Sequence, residues 1–139
     1  MLMVVIGKVP KKHLKALDYF ADCIFTPQKS RHITIEVKYK RMKTQGEVYV
    51  EDYNKRGVPN HFVIWVKHND SEKEKLITLA HEMIHVKQYC FGELNEEGTK
   101  WCGEYVNTEE LSYEQLPWEI EAWNMGEYLY AAYITSNNG

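Results

Sequence analysis

The chain has 139 residues, 44% of them hydrophobic and 13% aromatic, and a net charge of -3. That size suits one compact domain over residues 1–139, with apolar content enough for a core, so a disordered chain is excluded. The acidic balance argues against nucleic acid as the main partner, and no run of 18 apolar residues marks a membrane span.

The opening stretch from Met1 to Gly7 is apolar but short. It has no basic n-region and no small-residue cleavage site, so it reads as a first strand or a core-packing arm rather than a signal peptide. After Pro10, the apolar residues Leu14, Leu17, Phe20, Ala21 and Ile24 recur at helical spacing, and Pro27 lies just past the expected end. Ile33, Ile35, Val37 and Tyr39 then alternate with Thr34, Glu36 and Lys38, the pattern of a half-buried strand. Glu47 to Tyr53 reads as a second strand. Gly57, Pro59 and Asn60 mark a turn, and His61 to Val66, apolar nearly throughout, is a third strand.

Ser71 and Glu74 form an S-x-x-E capping box that opens the next helix. Leu76, Leu79, Ala80, Met83 and Ile84 supply its apolar stripe, and Gly92 is a fitting stop. Residues 93 to 115 are polar and follow neither period, and loops of that length are often functional. Pro117 starts a last helix to about Ile134, and Thr135 to Gly139 read as a frayed tail. The expected class is therefore α+β: an N-terminal helix, a small, mainly antiparallel three-stranded sheet, and two further helices. Cys23, Cys90 and Cys102 are odd in number, widely spaced and without a C-x-x-C, which predicts buried free thiols in a reducing, cytoplasmic setting.

The chemistry concentrates in His81-Glu82-Met83-Ile84-His85, an H-E-x-x-H within the third helical segment. Histidines four apart lie one above the other on one helical face, so both imidazoles reach one ion. Glu82 sits beside them, where a carboxylate works on a water activated at that ion. A catalytic zinc keeps three protein ligands and an open position. The remaining histidines, His13, His32, His61 and His68, all precede the motif, so no later histidine completes the set. A metzincin extension is excluded, because its glycine and third histidine would fall on Gln88 and Phe91; a downstream histidine of the SprT-like kind is likewise absent. The third ligand is thus expected to be a carboxylate on a later element.

The segment Leu116-Pro117-Trp118-Glu119-Ile120-Glu121-Ala122-Trp123 follows. With it, residues 71 to 134 resemble the gluzincins, zinc peptidases in which a glutamate on a second helix completes H-E-x-x-H. Several of those families carry that glutamate three residues before an alanine, as Glu119 stands before Ala122. The resemblance implies a zincin-like fold with His81, His85 and Glu119 on zinc and Glu82 as general base; Glu121 is the alternative ligand. Glu119, Ala122, Trp123 and Gly126 share a face, and the small Ala122 and Gly126 suit close approach to the motif helix. Trp123 stands where those families often have Asp or Asn, so a hydrogen-bond partner for a zinc-bound histidine comes from elsewhere, with Asn124 the candidate. The family also implies a downstream donor for the developing oxyanion, here one of Tyr105, Tyr113, Tyr130 or Tyr133. Its architecture further implies that the strand around Phe62 to Val66 pairs with an extended peptide or protein substrate.

Trp118, Trp123, Tyr128, Leu129, Tyr130 and Tyr133 read as core rather than as a substrate platform. His61 and His68 read as strand-end residues. Lys8, Lys11, Lys12 and Lys15, and Lys38, Lys40, Arg41 and Lys43, read as solvated faces. A regulatory metal-binding module acting on one partner, or on itself, is the alternative to a peptidase. Glu82 and His85 also spell the E-x-x-H of di-iron bundles, but such sites need a second copy, and none is present.

Overall fold

The computed structural model describes residues 3–138. The elements run β1 (Val4–Ile6), α1 (Lys11–Ile24), α2 (Pro27–Ser30), β2 (Thr34–Lys40), β3 (Gly46–Tyr53), β4 (Pro59–Lys67) and α3 (Glu72–Cys90). A two-residue hairpin follows, β5 (Lys100–Trp101) with β6 (Glu104–Tyr105), then 3-10 turns at Thr108–Glu110 and Tyr113–Gln115, and α4 (Pro117–Asn138). The class is α+β. No helix among the described residues is long and apolar enough to cross a membrane.

The main sheet departs from the expected one. Among the described residues it has four strands in the order β1-β2-β4-β3, and of these only β3 runs antiparallel to its neighbour. Its first strand is short and lies within the opening apolar stretch; Met1 and Leu2 lie outside the described residues. Because α1 carries the chain back across the sheet, β1 and β2 pair in parallel. The chain then leaves an empty slot beside β2, builds β3 on the far side, and returns through the turn at Asn54. The Asn54 side-chain oxygen accepts the N–H groups of Arg56 and Val58 there. β4 fills the slot, with Ile35 opposite Phe62 and Val37 opposite Ile64. Its near-continuous apolar run is what a central strand requires. This corrects one expectation: Phe62 to Val66 is covered on both edges and offers none to a peptide. The free edge beside the cleft described below belongs to β3.

The core lies between this sheet and the helices. Leu17 and Phe20 of α1, Ile35, Val37, Phe62 and Ile64 of the sheet, and Leu79, Met83 and Ile84 of α3 are all buried. Ser71 caps α3, its hydroxyl accepting the Glu74 N–H, and Gly92, at φ +70°, follows its end. α4 continues to Asn138, past the expected end at Ile134, and Gly139 lies outside the described residues. Leu129 and Tyr133 join the core, but Tyr128 is 75% exposed. Among the cysteines only Cys90 is buried. Cys23 and Cys102 are exposed, against expectation, and all three are free.

Candidate metal centre

α3 is buried nearly all round in its central turns, so it threads the molecule instead of lying on it. His81 and His85 leave the same face one turn apart, with ring centroids at 4.8 Å. α4 crosses that face closely because Gly126 has no side chain. A Cβ there would lie 3.1 Å from His81 Cα. The approach brings Glu119 onto the two imidazoles. Its Oε1 is 3.1 Å from His81 Nε2, and its Oε2 is 3.1 Å from His85 Nε2. All three residues are buried, and their donor atoms lie within 4.8 Å of one another.

Such a set fits a zinc ion. Two ligands each about 2.1 Å from one ion at a tetrahedral angle stand about 3.4 Å apart, and Glu119 lies 3.1 Å from each imidazole nitrogen. Two neutral nitrogens and a carboxylate oxygen also match the ligand types of hydrolytic zinc. Glu121 is not in the set. It turns to Lys87 Nζ at 2.9 Å and to Gln88 Nε2 at 3.2 Å.

Glu82 lines the same cleft, its Oε1 3.8 Å from His81 Nε2. Burial pushes its carboxyl pKa up, against the pull of His85 and His81. For Glu119, burial also acts upward. Contacts with the His81 and His85 imidazoles outweigh it and hold the carboxylate well below its usual range. His85 is opposed by burial, yet Glu119 and Glu82 raise it on balance.

The cleft has a volume of about 680 Å³, and one wall is β3 with the segment before it, from Lys43 to Tyr49. Gly46 lets this edge strand lie against α3. A Cβ there would fall 2.4 Å from Thr78 Cγ2 and 3.6 Å from Glu82 Cγ. The opposite wall holds Tyr113, Trp118 and Trp123. Of the four candidate tyrosines, only Tyr113 reaches this cleft; its hydroxyl donates to Glu119 Oε1 at 2.7 Å. Burial, with Glu119 beside it, raises its pKa, so it stays a proton donor. Tyr133 packs on Tyr19 and Phe20 in the core, and Tyr105 is exposed on the small hairpin.

Sequence reasoning missed Gln88 and Gly46. Asn124, the candidate partner for a ligand histidine, is exposed. The side chain that does bond one is Gln88, whose Oε1 is 2.7 Å from His85 Nδ1. The signal was present: Gln88 lies three residues after His85, on the same face. Trp123 packs on His81 at 4.3 Å between ring centroids, and among the described residues buried His81 Nδ1 has no hydrogen-bond partner. No family model, curated protein or solved structure matches the chain.

Proposed function

We propose that the chain is a zinc-dependent metallopeptidase of gluzincin-like design, acting on peptide or protein substrates. The observation that carries the reading is the buried convergence of His81, His85 and Glu119, with Glu82 on the wall of the same cleft. His81, His85 and Glu119 would hold the zinc, which when bound would supply Lewis-acid chemistry for water activation and carbonyl polarisation.

The chain's own residues do the rest. Glu82 takes a proton from the attacking water and passes it to the leaving amine. The Tyr113 hydroxyl swings from Glu119 to donate to the oxygen on which charge develops. The free edge of β3 pairs with an extended peptide as an added strand, and Gly46 keeps that strand close to Glu82. Trp118, Trp123 and Leu94 offer an apolar wall to a substrate side chain.

The test is metal analysis of untagged protein purified without chelator, followed by a peptide-library cleavage assay on wild type and Glu82→Gln. The expected result is about one zinc per chain in both proteins and hydrolysis in the wild type only. No zinc uptake by the wild type, or undiminished hydrolysis by the variant, overturns the proposal.

A further inference from the structure

Gln88 is fully buried, and its hydrogen bonds determine one another in order. Its Nε2 is 3.0 Å from the Trp118 carbonyl oxygen and 3.2 Å from Glu121 Oε1. A backbone carbonyl only accepts, and so does an ionised carboxylate. The amide must therefore turn its NH2 toward α4, which leaves Oε1 facing His85 Nδ1 at 2.7 Å. Oε1 carries no hydrogen, so the proton in that contact belongs to Nδ1. A neutral imidazole protonated on Nδ1 has its lone pair on Nε2. That nitrogen is the one facing Glu119 Oε2 at 3.1 Å. Two acceptors at that distance require a cation between them, or a second proton on the ring.

We infer that Gln88 is a positioning residue that sets His85 in its Nδ1–H tautomer and aims Nε2 at the metal, with α4 holding the amide in register. The inference rests on the zinc reading above. It assigns α4 two tasks, since the helix that brings Glu119 also fixes the amide that orients His85. Glu121 thus acts on the metal at one remove, beyond Gln88. The two histidines are held unequally, because among the described residues His81 Nδ1 has no counterpart of Gln88, and the His81 ring packs on Trp123 instead.

The test uses zinc alone, added to the metal-free full-length protein. Wild type, Gln88→Met and Glu121→Gln are compared by chelator competition, with the melting temperature of each metal-free protein recorded. Gln88→Met keeps the side-chain length but accepts nothing useful from Nδ1. It is expected to weaken zinc binding about 10–100-fold, the usual cost of losing an outer partner of a ligand histidine. Glu121→Gln leaves the Trp118 carbonyl in place and is expected to lose much less. A Gln88→Met variant that melts lower but keeps wild-type zinc affinity makes Gln88 mere packing and overturns the inference.

Imidazole 15N–1H spectra of the zinc-loaded wild type give a second reading that needs no variant to fold. A protected Nδ1–H on His85, with Nε2 unprotonated, is expected. A proton on Nε2, or zinc on Nδ1, refutes the inference even where zinc binds. Failure of the wild type to bind zinc at all sinks the zinc reading instead, so the two failures are distinguishable.

Discussion

Gly46→Ala is the most economical perturbation of the cleft. The added Cβ would sit 2.4 Å from Thr78 Cγ2 and 2.9 Å from the Trp65 carbonyl oxygen. Apolar carbons in contact prefer about 3.5–4.0 Å, so the first overlap exceeds 1 Å. Thr78 is buried and β-branched, which leaves it few rotamers to retreat into. The Trp65 carbonyl belongs to the central strand and cannot move by itself. The start of β3 must therefore shift outward. Overpacking of this kind costs about 1–3 kcal/mol. In a domain of this size that is a fall in melting temperature of about 3–10 °C.

His81, His85 and Glu119 are untouched by this change, so zinc affinity should stay close to wild type. Peptide hydrolysis should fall further than stability does, because a displacement of ~1 Å in a positioning element costs about 100-fold. Thermal melts, chelator competition and kcat/KM measure the three effects separately. Removing the offending methyl in Gly46→Ala/Thr78→Ser should recover part of the lost stability, an interaction a double-mutant cycle reads directly. A Gly46→Ala protein with wild-type melting temperature, or no recovery in the double variant, would refute the packing argument.

Two further outcomes are expected. Glu119→Ala should weaken zinc binding about 100-fold or more, since it removes a direct ligand, whose loss costs more than the ~10–100-fold typical of an outer partner, whereas Glu121→Ala should lose far less; the reverse order in chelator competition would move the ligand to Glu121. The Glu72 carboxyl is lowered first by its hydrogen bond from His13 at 2.9 Å, then by the charges of His13 and Lys75. A lowered folded pKa makes this contribution full above the unfolded carboxylate range and lost as pH falls through the folded value. Urea melts of Glu72→Gln should thus show a small, solvent-screened loss above the carboxylate range that fades as pH falls through the lowered folded value; a loss unchanged by pH would remove His13–Glu72 as its source.

The elements were legible wherever local periodicity decides them. The alternation at Ile33 to Tyr39, the stripe from Leu76 to Ile84 with its Ser71 cap, and Pro117 at a helix start each carry their own signal, and the structure has β2, α3 and α4 there. Sheet order was not legible. Neighbours in the chain pair by default, and nothing local says that β4 inserts between β2 and β3. That insertion moved the free edge from Phe62–Val66 to β3. The exposed Cys23 and Cys102 and the outward Tyr128 were misplaced for a related reason, since composition gives how often a residue type is buried, not where.

For the site, spacing along one helix was sufficient for His81, Glu82 and His85, because 3.6 residues per turn places them together whatever surrounds them. The resemblance also favoured Glu119 as third ligand, through Ala122 three residues on, but with Glu121 only two residues away on the same helix the sequence left Glu121 as the alternative. Only the crossing of α3 and α4, made close by Gly126, turned Glu119 onto the histidines and left Glu121 to Lys87 and Gln88. The same crossing singled out Tyr113 among four tyrosines and brought the Trp118 carbonyl to Gln88. A helix dictates which of its own residues share a face. Which face meets which is decided by the packing of the whole chain.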